Sequence, residues 1–226
     1  MTTIMSSFGA VVSSASVGIA LVVIFGVLAI VGAETNRRWL LAFAKPVATA
    51  SLLLVVGPPP TDAVEKLVAF GIVFSIIGDG FLVVDGDRAF FAGTSAFLTA
   101  QILYAAAFWS LRAPERPIAP VAGVVVVISA LLVVNLWRSA GGMRPAVAVY
   151  ALAITLMVGT ALGTLGGPMP PVAALCAASG AVLFYISDAT LAWNKFRRPV
   201  PHASIVTMGV YWLGQIGIAL AARISS

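Results

Sequence analysis

The sequence predicts an all-α membrane bundle of about eight transmembrane helices, and three observations predict it. Apolar residues make up 61% of the chain and charged residues 9%, where an ordinary soluble domain carries about a quarter charged. The apolar residues fall into eight runs, each near the roughly 20 residues a helix needs to cross about 30 Å of hydrocarbon. Between the runs lie short segments rich in Pro, Gly and charge. A soluble chain of 226 residues would need a polar surface, and this one lacks the residues to build it. Composition is uniform, so residues 1–226 read as one integral membrane domain.

The runs follow in order. The first spans 16–33 and ends at Glu34-Thr-Asn-Arg-Arg38. The second spans 39–56 and stops at Gly57-Pro-Pro-Pro60. The third spans 67–84, before Asp85-Gly-Asp-Arg88, and the fourth 89–111, before a Pro and charge loop at 112–117. The fifth spans 118–137. The sixth, 145–165, ends at Gly166-Gly-Pro-Met-Pro-Pro171. The seventh spans 172–193 and the eighth 203–222. Short connections make sequential neighbours antiparallel. Met1 to Ser16 holds no basic residue, so no cleaved leader is expected.

The basic residues set an expected orientation. Loops after the first, third, fifth and seventh runs hold Arg37, Arg38, Arg88, Arg138, Arg144, Lys195, Arg197 and Arg198. The other loops and tails hold Lys66, Arg112, Arg116 and Arg223. The richer side is expected to be cytoplasmic, in a cell (plasma) membrane, with both termini on the other side. Trp39, Trp137 and Trp193 fall at that boundary as an aromatic belt. The net charge of +5 is met by lipid headgroups and implies no nucleic acid.

Three ionisable side chains lie inside runs: Lys45 in the second, Asp79 in the third and Asp188 in the seventh. A charge near the membrane centre costs at least ~2.5–3.5 kcal/mol, so each needs a partner or a cavity. Lys45 is six residues from Trp39, Asp79 six from Asp85 and Asp188 six from Asn194. At a rise of ~1.5 Å per residue, all three sit ~9 Å beneath one face. A shared site accounts for that common level, and a structural ion pair between helices is the alternative. Tyr211 and Gln215 are one turn apart on the eighth run, and Gln101 and Tyr104 share a face of the fourth. Ser75 precedes Asp79 by one turn, and Tyr185 precedes Asp188 by three residues. A cup lined by such groups suits a polar headgroup, with an apolar tail among the helices. The same Gln and Tyr residues also suit plain helix–helix hydrogen bonding.

A weak internal repeat groups the same features. Lys45-Pro46 resembles Arg144-Pro145. Gly71 precedes Asp79 by the interval at which Gly180 precedes Asp188. Phe97-Leu-Thr-Ala-Gln101 resembles Tyr211-Trp-Leu-Gly-Gln215. The expected organisation is two parallel four-helix units, 16–111 and 118–222, with the carboxylates facing across their interface.

Together these stretches resemble the YhhN family of membrane proteins, whose animal members are lysoplasmalogenases. The resemblance rests on Lys45-Pro46, Phe74-Ser-Ile-Ile-Gly-Asp79-Gly-Phe-Leu82 and Ala96-Phe97-Leu-Thr-Ala-Gln101-Ile-Leu-Tyr104. It continues in Gly180-Ala-Val-Leu-Phe184-Tyr-Ile-Ser-Asp188 and Tyr211-Trp-Leu-Gly-Gln215. The family often carries His where this chain has Gln101, a departure that leaves hydrogen bonding as the role there. The resemblance implies hydrolysis of the vinyl-ether bond of a lysoplasmalogen-like lysolipid, giving a fatty aldehyde and a glycerophospho-alcohol.

Vinyl ethers cleave by protonation at carbon, followed by water capture of an oxocarbenium ion. That calls for one carboxylic acid and one carboxylate, as in glycoside hydrolysis. Two Asp and one Lys sum to one negative charge, so a dry cup holding all three takes up one proton. Asp79 and Asp188 are the expected acid/base pair, in either order. Lys45, Gln101, Tyr104, Tyr211 and Gln215 are the expected substrate-binding groups. Lys45 either pairs with one acid or meets the phosphate. No cofactor is expected. One His and one Cys cannot build a His-rich zinc site, and His202, after two prolines in a basic loop, is expected to be exposed. Asp85 and Asp87 beside Arg88 read as a solvated turn. The competing class is a proton-coupled carrier, which uses buried Asp and Lys in a duplicated bundle.

Overall fold

The computed structural model describes residues 2–57, 59–60, 62–113 and 119–225. Pro58, and the loop residues 114–118 with Arg116 and the expected start of the fifth run at Ile118, lie outside the described residues. Described helices are α1 (Thr2–Glu34), α2 (Arg38–Ala50), α3 (Leu52–Val56), α4 (Ala63–Leu82), α5 (Asp87–Trp109), α6 (Ala119–Trp137), α7 (Arg144–Leu162), α8 (Pro171–Phe196) and α9 (Ala203–Ser225). There is no strand among the described residues. Taking α2 and α3 as one rod, the eight rods follow the eight apolar runs. Six stretches are long and apolar enough to cross a bilayer. Of the other two, α6 contributes the apolar stretch Gly123–Trp137, and α4 has 20 residues but carries Glu65, Lys66 and Asp79. The chain is a multi-pass integral membrane protein with a helical-bundle fold.

Local chemistry sets the helix ends. Asp62 caps α4 by accepting the Glu65 N–H at 2.8 Å, which satisfies an orphan donor of the first turn. Pro145 and Pro171 sit in the first turns of α7 and α8, where a missing N–H does no harm. The first helix begins at Thr2 rather than at Ser16, because no proline interrupts that stretch.

The second run forms one candidate span, Arg38–Val56, with a local irregularity at Ser51 between α2 and α3. Pro46 lies inside α2 and has no N–H to give the preceding turn. One turn on, the Ser51 hydroxyl donates to the Val47 carbonyl at 2.8 Å. Such back-bonding competes with the helical ladder. The helix tightens locally at Ser51, which keeps right-handed helical φ and ψ and whose N–H still donates to the Val47 carbonyl at 3.0 Å, and α3 follows with the Leu54 N–H donating to the Ser51 carbonyl at 3.1 Å.

Packing runs in neighbour pairs: α1 along α2, α4 along α5, α6 along α7 and α8 along α9. Cross-links join α2 to α4, α7 to α8, α5 to α7 and α3 to α9. The α8–α9 seam is backbone against backbone. A Cβ added at Gly180 would stand 2.7 Å from the Gly214 carbonyl oxygen and 2.8 Å from the Ile218 nitrogen. Small residues let transmembrane helices approach this closely. Gly180→Val is therefore expected to destabilise the protein by about 1–3 kcal/mol through overpacking. A lowered thermal unfolding midpoint in detergent checks this, and an unchanged midpoint would show that the seam can open without penalty.

At the end expected to be cytoplasmic, exposed polar side chains pair across loops. Arg38 meets Asp85 at 2.6 Å, Lys195 meets Asp87 at 2.9 Å and His202 meets Glu34 at 2.7 Å. Asp85 and Asp87 thus belong to a solvated turn, and the His202 side chain is 72% exposed.

Candidate active site

Lys45 on α2, Asp79 on α4, Asp188 on α8 and Tyr211 on α9 line one cavity of about 360 Å³. It extends to Asn194, Lys195, Ala203 and Ser204, at the end of α8 and the start of α9. Four rods bring these groups together because each carries its polar residue at a matching depth.

Asp79 is fully buried, and every partner it has is a donor. Lys45 Nζ stands 3.1 Å from Oδ1. Thr49 Oγ1 donates to Oδ2 at 2.5 Å and the Tyr211 hydroxyl donates to the same oxygen at 3.1 Å. Trp212 Nε1 donates to Thr49 Oγ1 at 3.1 Å and so turns the Thr49 proton toward the carboxylate. A set built only of donors and a cation suits an ionised acid.

Asp188 is placed differently. It is half-buried and takes both of its hydrogen bonds on one oxygen. Gln101 Nε2 donates to Oδ2 at 2.9 Å and the Tyr150 hydroxyl donates there at 2.5 Å. Oδ1 makes no hydrogen bond among the described residues, and Asp188 borders the cavity. Both acids take their hydrogen bonds on Oδ2, and they differ at Oδ1: that of Asp79 is buried and faces the Lys45 ammonium as an ion pair without a hydrogen bond, while that of Asp188 has no such cation beside it.

Of the neutral residues grouped with the acids by sequence, Tyr211 lines the cavity. Tyr104 and Gln215 do not. Both are fully buried, and they bond to one another, Tyr104 OH donating to Gln215 Oε1 at 2.9 Å. Gln215 Nε2 reaches Ser75 Oγ at 3.0 Å and the Tyr211 hydroxyl at 3.2 Å. This set stands behind the cavity wall and fixes Tyr211. Gln101 is also fully buried and holds Asp188 from behind, so it too supports the wall without lining it.

Three neighbours were not singled out by sequence: Thr49, Tyr150 and Trp212. Thr49 had a signal, since it follows Lys45 by one helical turn. Tyr150 had a weaker one, a phenol in the middle of an apolar run. Phe97, Phe184 and Tyr211 pack edge to face, with ring centroids 5.4–6.1 Å apart, and wall the site with carbon. No group of His, Cys, Asp and Glu able to hold a metal occurs among the described residues.

The sequence pattern of the YhhN family matches residues 40–222. Lysoplasmalogenase TMEM86B of Homo sapiens is 31% identical over 194 residues, covering 84% of this chain and 78% of that protein. Lysoplasmalogenase TMEM86B of Sus scrofa is 34% identical over 149 residues, 65% of this chain and 59% of that protein. The chain thus spans about three-fifths of the pig relative's length. Membrane protein YhhN of Escherichia coli O157:H7 is 28% identical over 181 residues, 80% of this chain and 84% of the bacterial one. No solved structure matches. Because the match takes in Lys45, Asp79, Asp188 and Tyr211, fold and candidate site alike lie within it, and the chain belongs to the YhhN family.

Proposed function

We propose that this protein is a membrane-embedded hydrolase that cleaves the vinyl-ether bond of lysoplasmalogen-like lysolipids at the Lys45–Asp79–Asp188 cavity. The observation that carries the reading is the unequal pair of acids on one cavity wall. Asp188 serves as the proton donor through its unbonded Oδ1. Asp79, held by Lys45, Thr49 and Tyr211, serves as the fixed carboxylate beside the cation that forms. The proton goes to the vinyl carbon remote from oxygen. Water then adds to the oxocarbenium carbon and returns a proton to Asp188. The hemiacetal collapses to a fatty aldehyde and a glycerophospho-alcohol. Lysoplasmalogenase is the name carried by relatives 31–34% identical to this chain, which supports the same reading.

The packing pairs also support the proposed repeat. The pairs α4–α5 and α8–α9 correspond, as do α2–α4 and α7–α8, and each of the two units brings one acid. Basic loops at the mouth of the cavity support a cytoplasmic opening. The bonded set Ser75–Tyr104–Gln215 beneath Tyr211 speaks for a cup open to one side.

The test uses purified protein and three lysophospholipids that differ in one linkage: alkenyl ether, alkyl ether and ester. Aldehyde is expected from the alkenyl ether alone, carrying deuterium on the carbon next to the carbonyl when the reaction runs in D₂O. Intact alkenyl substrate would reject the reading, and flux across proteoliposomes without turnover would replace it by the carrier. Tyr150→Phe removes the 2.5 Å donor to Asp188 Oδ2 and is expected to lower kcat about tenfold with little change in KM, a drop of about 1.4 kcal/mol in transition-state stabilisation.

A further inference from the structure

A second opening borders Asp188, on the side away from Lys45. It is a narrow groove among α5, α6, α7 and α8, its cavity volume about 70 Å³ against about 360 Å³ for the polar cavity. It shares Phe90, Phe97, Asp188 and Leu191 with the polar cavity, so the two spaces meet at the acid.

The groove's chemistry is that of hydrocarbon. The hydroxyls of its two tyrosines are already engaged, Tyr150 on Asp188 at 2.5 Å and Tyr185 with Ser129 at 3.1 Å. Ala151, Ala189 and Ala192 give it small walls on α7 and α8. Its outer wall is α6, which contributes Leu132 and Leu136. This helix packs on α7 and only lightly on α8. Its other side is bare apolar surface, with Val127, Leu131 and Val134 57–69% exposed. One thinly packed helix thus separates the groove from the acyl chains of the bilayer.

We infer that this groove is the binding site for the single hydrocarbon chain of the substrate, and that it sets which lipids present a bond to Asp188. The inference rests on the hydrolase reading above and deepens it. A bond at the junction of headgroup and chain lies at Asp188 when the polar part fills one space and the chain fills the other. A chain long enough to fill the groove holds its first bond at Asp188, so the groove favours long chains over short ones.

The test has two readouts on the full chain. The first is photolabelling by a lysophosphatidylcholine that carries a diazirine at the end of its chain. The second is the ratio of kcat/KM for long-chain over short-chain alkenyl lysolipids. Labelling of wild type is expected on groove residues of α6, α7 and α8. Ala151→Phe is expected to cut that labelling severalfold and to lower the ratio by about tenfold. Ala189→Val, a smaller filling, moves both readouts in the same direction if Ala151→Phe fails to fold. Label concentrated on α1–α4, or both readouts unmoved in the variants, overturns the inference. Groove labelling without aldehyde from any vinyl ether would reject the hydrolase reading and leave the groove assigned. Aldehyde release with labelling indifferent to Ala151→Phe would do the reverse.

Discussion

Asp188→Asn is expected to lower kcat for vinyl-ether cleavage by about three orders of magnitude with the fold intact, since a positioned acid contributes about 10²–10⁴. The amide has the shape of the acid. Its oxygen can still accept from Gln101 and Tyr150, which reach Oδ2 at 2.9 and 2.5 Å in the wild type. Its NH₂ then occupies the place of Oδ1, with no acidic proton to transfer. The residue is half-buried and forms no ion pair among the described residues, so the substitution strands no paired buried charge. Turnover of an alkenyl lysolipid and the thermal unfolding midpoint together check the expectation. Wild-type turnover in Asp188→Asn would remove the acid from the mechanism. Asp188→Glu keeps the chemistry but displaces it by one methylene, and a partial rate there would tie the loss to the proton rather than to packing.

What could be read from the sequence follows from what each residue costs in lipid. Lys45, Asp79 and Asp188 stand out because an ion in hydrocarbon is expensive, and their common depth is simple arithmetic along straight helices. Thr49, Tyr150 and Trp212 carry no such signal. A neutral side chain in an apolar run is unremarkable until a neighbouring helix is rotated against it. The same rotation decides the fate of Tyr104 and Gln215. Their shared faces with Gln101 and Tyr211 are legible in the spacing, yet the spacing does not tell which face meets the cavity and which meets Ser75. The second run shows the limit for the fold: Pro46 is visible as a weak point, but the local irregularity comes one turn later, at Ser51, whose hydroxyl donates to the Val47 carbonyl.

The pair Lys45–Asp79 bears the second large expectation, because it separates a structural ion pair from a catalytic one. The Lys45 side chain is 11% exposed and that of Asp79 1%. Lys45→Met strands a carboxylate in a buried site, and Asp79→Asn strands an ammonium. Each single change is expected to cost about 3–5 kcal/mol of stability, while exchanging both ions for neutral groups of similar volume is near neutral. The double variant should therefore unfold close to the wild-type midpoint although each parent is damaged. Thr49 and Tyr211 can still donate to the amide oxygen that takes the place of Oδ2, so the cavity keeps its shape. If Asp79 acts as a carboxylate beside the oxocarbenium ion, the folded double variant still turns over at least a hundredfold more slowly, since a neutral amide cannot replace that charge. Recovery of stability and turnover together would make Lys45–Asp79 a clamp between α2 and α4 and leave Asp188 to work alone.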